Sequence, residues 1–296
     1  MALATTVLAE GFVFTEGPRW RDGRIWTSDM HGHRVVAIGL DGVVETVATV
    51  EEDEPSGLGW LPDGRLLIVS MDRQWLLRQE HDGTIVCHAD LSSVARGSLN
   101  DMIVANDGTA YVGDMGSRVH VRAKSLDGPR VPGQTFIVRP DGSFEVGADD
   151  MAAPNGHVLT DDEQTLLVAQ SSGQQVTAFD RAEDGTLSNR RVYVDLVSAD
   201  PAVASAIPDG ICLDSEGAVW VADPMSRRLF RVSPGGAVTD SVGFGDDIPV
   251  ACVLGGADRR TLFVCVAASF VKDELEGTAT SKIVYLPVFV PGAGKP

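Results

Sequence analysis

The feature that most constrains the fold is a series of regularly spaced turns. Asp- or Gly-rich turns centred on Asp22, Asp63, Asp107, Asp162, Ser215 and Asp258 stand 41, 44, 55, 53 and 43 residues apart. Each leads into a β-branched or aromatic run, such as GRLLIV, GTAYV or GAVWVA, which is hairpin chemistry. A second series lies between them, at Asp41-Gly42, Asp82-Gly83, Asp141-Gly142, Asp184-Gly185 and Gly235-Gly236. A unit of roughly 40–55 residues with two hairpin turns holds about four strands, the period of a propeller blade. No long run carries a helical 3.6 period. Six turns of the first kind but only five of the second leave one outer strand to be found. The N-terminal segment Thr5–Glu10 is expected to supply it and close the ring, which removes sheet edges. The sequence thus predicts an all-β fold: one six-bladed β-propeller domain over residues 1–296, with four-stranded antiparallel blades around a central channel. Two β-sandwiches would need a linker near the middle, and none is visible.

Charge narrows the partners. Lys and Arg number 24 against 42 Asp and Glu, a formal net charge of −18. That sign argues against nucleic acid, whose binding is driven by Lys and Arg, and against an anionic membrane surface. No stretch approaches the ~20 apolar residues of a membrane span. The start, MALATTVLAEGF, lacks a basic n-region and a full apolar h-region, so the expectation is a cytoplasmic protein acting on a small molecule. Oligomeric state is left open. Cys87, Cys212, Cys252 and Cys265 form no CxxC pair and read as buried small hydrophobes in a reducing compartment.

A propeller turns sequence equivalence into spatial equivalence. Six to eight residues before each first-type turn, at the start of the inner strand, stand Glu16-Gly17, Ser56-Gly57, Asn100-Asp101, Asn155-Gly156, Asp209-Gly210 and Val250-Ala251. Five of these six positions carry an oxygen-bearing side chain, and the six should converge at one channel mouth. Such pairs also make simple turns, but the local turns lie several residues further on. Carboxylate and amide oxygens suit one divalent ion, Ca²⁺ above all, with Mg²⁺, Mn²⁺ or Zn²⁺ as alternatives. No GxSxG elbow and no HExxH motif is present, so neither a serine esterase nor a zincin is supported. His81 and His88 fall near outer hairpins and read as solvated or structural. His31 follows the second strand of the first blade and is a candidate for the pocket.

The stretches EGPRW (from Glu16), LND (from Leu99), PNGHVLTDDEQTLLVA (from Pro154), PDGICLDSEGAVWVAD (from Pro208) and VLGGADRRTLFVCVA together resemble the regucalcin (senescence marker protein)–gluconolactonase family, over nearly the whole chain. The resemblance implies a six-bladed propeller with one divalent metal held by Glu16, Asn155 and Asp209. Asn100 would then contact the metal through water or hold substrate, and Asp209 would be the general base. Asp101 is a second candidate base, or a residue that orients Asn100. The matching lactone chemistry is reasonable, since a cation polarises the carbonyl and a carboxylate accepts the water proton.

Departures from the family pattern concern the pocket. Sugar-lactonase members carry Arg where this chain has Ser98, with Arg96 two residues earlier. Gln170 and Asp114 stand where Asp and Thr are common. The second strands of the blades end on Met30 and His31, Met71, Met115 and Met225, and Met102 and Met151 flank the inner-strand starts. Met30, His31, Met71, Ser98, Asn100, Met115 and Gln170 are therefore the expected substrate contacts, and methionines suit an apolar or aromatic lactone better than a sugar. Two inserts, Gly116–Gly133 with Arg118, His120, Arg122, Lys124 and Arg130, and Ser198–Ile207, stand near the mouth. Three readings follow: a metal-dependent lactonase; a hydratase, lyase or isomerase on the same site; and a non-catalytic metal-binding propeller.

Overall fold

The computed structural model describes residues 4–118, 131–275 and 277–295. The basic residues of the first insert from His120 to Arg130 lie outside them. The turns form for a local reason. Asp63, Asp82, Asp107, Asp141, Asp162 and Asp184 each accept, through Oδ1, the backbone N–H two residues on, and this Asx contact replaces a backbone bond that the turn cannot make. At the first turn Arg21 pairs with Arg24. Asp22 and Gly23 between them have φ of 51° and 73°, the two positive values that a two-residue hairpin needs to match strand twist.

These hairpins build six antiparallel sheets among the described residues, spanning 15–49, 55–90, 99–151, 154–195, 211–243 and 248–287. Each inner strand packs against the next, and the sixth packs against the first. The molecule is a six-bladed β-propeller. The ring closes as the sequence suggested: Thr6–Phe12 adds to Ser281–Pro287 as the outer strand of the sixth blade, Thr6 opposite Tyr285 and Phe12 opposite Ser281. Apolar strand faces meet between blades, where Trp20 stacks on Phe263 at 5.6 Å between ring centres and Trp26 meets Trp60 edge-on at 5.3 Å. Such contacts add ~0.5–1.5 kcal/mol beyond the area they bury.

One element was not foreseen. The C-terminal pair Gly292–Ala293 adds a fifth strand to the fifth blade, on the channel edge of Ile211–Asp214. The tail then crosses to the fourth blade, where Gly294 N–H donates to Asp161 Oδ1 and Lys295 N–H to the Leu159 carbonyl. Arg259 ties it from behind through the carbonyls of Ala293 and Gly294. Lys295 also lines a cavity of about 150 Å³ with Arg19, Leu58 and Ile103, so the tail lies across the end of the channel away from the candidate site. No described helix is long and apolar enough to cross a membrane.

Candidate active site at the channel mouth

Every inner strand bulges where its candidate side chain sits. The pairing register slips between Glu16 and Arg19, Pro55 and Leu58, Leu99 and Met102, Pro154 and His157, and Pro249 and Ala251. In the fifth blade Asp209 N–H donates to the Ala222 carbonyl, while Ala222 N–H donates to that of Gly210. A bulge re-aims a side chain and frees a backbone amide. The freed amides bind the next blade: Gly156 N–H donates to the Asp209 carbonyl at 3.2 Å and Gly210 N–H to the Val250 carbonyl at 2.9 Å. This close approach explains the glycine after the candidate ligand better than turn formation does. A Cβ on Gly156 would lie 2.6 Å from Ile211 N, and one on Gly57 would lie 2.5 Å from Met102 N.

The re-aimed side chains form a chain of hydrogen bonds around the channel. Ser56 Oγ donates to Asn100 Oδ1 at 2.9 Å, and Asn100 Nδ2 donates to Asn155 Oδ1 at 3.0 Å. The Asn155 side chain bonds the Asp209 carboxylate and donates to Ser171 Oγ at 3.3 Å. Glu16 stands near enough to Asp209 and Asp101 for their charges to act on it. Burial, then repulsion from Asp209 and Asp101, pushes the Glu16 carboxyl well above its usual range. Burial and the charge of Asp101 push Asp209 up to about 8, against the Asn155 hydrogen bond. Asp101 is raised by burial, and its Oδ1 has no partner.

Beneath these carboxylates lies Arg19, which the ring reading missed. Its guanidinium donates to the carbonyls of Leu58, Pro18 and Met102, and burial pulls it below the usual arginine range despite Asp101 and Glu16. Asp101 and Glu16 face this guanidinium; with Asp209 beside them, the fully ionised cluster would carry two negative charges more than Arg19 balances, the charge of one divalent cation. The donor set also fits such an ion. Among the described residues no three His, Cys, Asp or Glu side chains form a metal centre by themselves. Glu16 and Asp209 would need the amide oxygen of Asn155, which accepts one hydrogen bond and keeps a second lone pair.

His157 was also missed. It is buried; Nδ1 bonds the Asn155 carbonyl, and Nε2 lies 3.3 Å from Thr135 Oγ1. Burial lowers its pKa to about 4, so it is a neutral ring that holds the backbone of Asn155. The arginine in EGPRW and the histidine in PNGHVL were the signals available.

The remaining candidates divide. Met115 is half-buried, with its sulfur 3.7 Å from Asn100 Nδ2. Met30, Met71, Met102 and Met151 pack into the hydrophobic core, and Met225 is exposed. Ser98 is buried and donates to Asp72 at 2.7 Å. Gln170 spends both ends of its amide inside its own blade, on Ala152 N–H and Thr177 Oγ1. Asp114 accepts the N–H groups of Arg96, Gly97 and Gly116, so its extra charge holds the loop before Leu99. Arg96 pairs with Asp149 at 2.6 Å and does not replace the missing family arginine. Cys212, Cys252 and Cys265 are buried as expected, but Cys87 is exposed because its position on Ile85–Asp90 faces solvent.

The comparisons with known proteins agree with this fold. Residues 14–268 match the family model described as the SMP-30/Gluconolactonase/LRE-like region. The chain belongs to this family. Regucalcin of Xenopus laevis is 25% identical over 273 residues, 90% of this chain and 88% of the relative. A solved structure of a gluconolactonase from Xanthomonas campestris aligns with a TM-score of 0.73 at 26% identity, covering 96% of this chain and 89% of that one. A calcium-binding protein, regucalcin, from Agrobacterium tumefaciens aligns at 0.79 with 19% identity, over 99% and 97% of the two chains, a likeness of fold. Glu16, Asn155 and Asp209, the positions that the sequence resemblance implied as ligands, enter this mouth from the first, fourth and fifth blades.

Proposed function

We propose that this protein is a divalent-cation-dependent hydrolase that opens lactones, and that its substrate is apolar or aromatic. The observation that carries the reading is the meeting of Glu16, Asn155 and Asp209, three hard-oxygen donors, at one channel mouth. Glu16, Asn155 and Asp209 would hold the cation, Ca²⁺ by preference for hard oxygen donors. Once bound, it supplies Lewis acidity to the lactone carbonyl and lowers the pKa of water. Asp209 is only partly buried, whereas Asp101 is 4% exposed with an orphaned oxygen. Asp209 is therefore the base: it takes a proton as water oxygen bonds to the acyl carbon, and returns one to the ring oxygen as the acyl C–O bond breaks. Asn100 Nδ2, which has only a methionine sulfur opposite one hydrogen, orients the ester. Asp101 and Arg19 fix the electrostatics below.

The apolar preference is supported by Met115 beside Asn100 and by the engagement of Ser98 with Asp72 and of Arg96 with Asp149. The gluconolactonase of Xanthomonas campestris supports lactone opening as the reaction class. The test is acid release, followed with a pH indicator, from dihydrocoumarin, an alkyl lactone and glucono-1,5-lactone, using protein stripped of metal and reloaded with Ca²⁺, Mg²⁺, Mn²⁺ or Zn²⁺. Metal-dependent turnover, fastest on dihydrocoumarin and abolished in Asp209→Ala, is expected. Tight metal binding without acid release from any lactone would refute hydrolysis and direct attention to proton transfer or hydration on the same site.

A further inference from the structure

One polar group beside the mouth is unaccounted for by this chemistry. The second strand of the first blade ends in a turn of helix, Met30–Gly32, that carries His31. His31 Nδ1 lies 3.2 Å from Glu54 Oε1, and the same oxygen accepts from Lys272 Nζ. Glu54 precedes the second blade and Lys272 belongs to Lys272–Leu275 in the sixth, so the two neighbours of the first blade close over it. Side-chain exposure falls along this chain, from 28% at Lys272 to 11% at Glu54 and 2% at His31. It therefore runs inward from solvent and ends on the imidazole. The ring rests against Phe14, two residues before Glu16, at 5.3 Å between centres. At its inner end Nε2 is buried without any partner.

The chemistry of that atom is determined by its neighbour. In the neutral imidazole a carboxylate on Nδ1 keeps the proton on Nδ1, which leaves Nε2 as a lone-pair acceptor. A buried acceptor without a donor costs ~1–3 kcal/mol. We propose that His31 determines specificity: its Nε2 accepts a hydrogen bond from a hydroxyl or amide N–H on the substrate. The substrate is then an apolar lactone with one donor group next to its carbonyl. This rests on the lactonase reading and adds to it a feature that the metal and Asp209 do not supply. A site with a buried acceptor discriminates strongly against an analogue without the donor, because the acceptor is then left unpaired.

The test compares dihydrocoumarin with its 3-hydroxy analogue in wild type, His31→Ala and His31→Gln, each checked for a cooperative melt and for wild-type Ca²⁺ affinity. The expected result is a kcat/KM preference of about tenfold or more for the hydroxy lactone, lost in His31→Ala and partly kept in His31→Gln, whose amide oxygen can accept. A purely structural histidine would lower both substrates equally, and equal wild-type rates, or a preference that survives His31→Ala, overturn the proposal. If wild type opens neither lactone, the hydrolase reading fails on its own. The proposal is then decided by imidazole ¹⁵N spectra with the ring-opened hydroxy acid added. An Nδ1–H tautomer whose Nε2 resonance moves with the acid supports it, whereas an Nε2–H tautomer or an unmoved resonance overturns it.

Discussion

Gly156→Ala tests how the ring of inner strands positions the site. The new Cβ would meet Ile211 N at 2.6 Å and the Asp209 carbonyl at 2.8 Å. Both are backbone atoms, so no side chain can swing aside. Overpacking of this kind costs ~1–3 kcal/mol, and parting the strands also weakens the 3.2 Å bond from Gly156 N–H to the Asp209 carbonyl, worth ~1 kcal/mol. The lower entropy of the unfolded alanine chain returns ~0.4–1 kcal/mol. The balance is a destabilisation of ~1–3 kcal/mol, a fall in Tm of roughly 2–8 °C for a chain of this size. Because Asn155 and Asp209 flank the contact, Ca²⁺ affinity should drop about tenfold, as when a supporting group is lost from a metal site. Gly235→Ala is the control, since its Cβ would have only Ser233 Oγ near it, at 4.0 Å. The assays are thermal melting without metal and calorimetric titration with Ca²⁺. If Gly156→Ala melts and binds like wild type while Gly235→Ala does the same, the close-approach account of the glycines is wrong.

Three further predictions follow from single contacts. Burial alone would raise the Glu54 carboxyl, but hydrogen bonds from His31 and Lys272 outweigh it and bring it down to about 2; from an unfolded value of ~4.3 this is worth ~3 kcal/mol. That stability is complete above the unfolded pKa and disappears as pH falls from about 5 to 2, so wild type should lose its Tm advantage over Glu54→Gln across that range, and a constant difference would count against it. His157→Leu removes the bond from Nδ1 to the Asn155 carbonyl; Ca²⁺ affinity should fall ~10-fold by calorimetry, and an unchanged value would deny the ring its positioning role. Native protein should react with Ellman's reagent at one thiol, the exposed Cys87, and at four after unfolding, with rapid native reaction of two or more contradicting the burial of the others.

The blades were legible because their determinants are local. An Asp that caps the amide two residues on announces a hairpin in any context, and Asp- or Gly-rich turns recurring every 41 to 55 residues leave few architectures. Glu16, Asn100, Asn155 and Asp209 were legible because the repeat fixes an offset from each turn. What escaped depends on contacts between distant segments. Lys272 reaches Glu54 across 218 residues, and nothing near either one signals the other. The strand Gly292–Ala293 is too short to show a period, and it lies on an edge that only the closed ring creates. The methionines share an offset, but the offset places only the backbone: Met115 faces Asn100 while Met30 and Met71 turn into the core. Ser98 and Gln170 likewise sit at the expected level with side chains bonded away to Asp72 and to Thr177.

The most direct test of the central claim is an anomalous difference map from crystals grown with Mn²⁺. The account predicts one strong peak at the channel mouth, in contact with carboxylate oxygens of Glu16 and Asp209 and the amide oxygen of Asn155, and its loss in Asp209→Ala. A peak bound elsewhere, or an empty mouth at millimolar Mn²⁺, would contradict it.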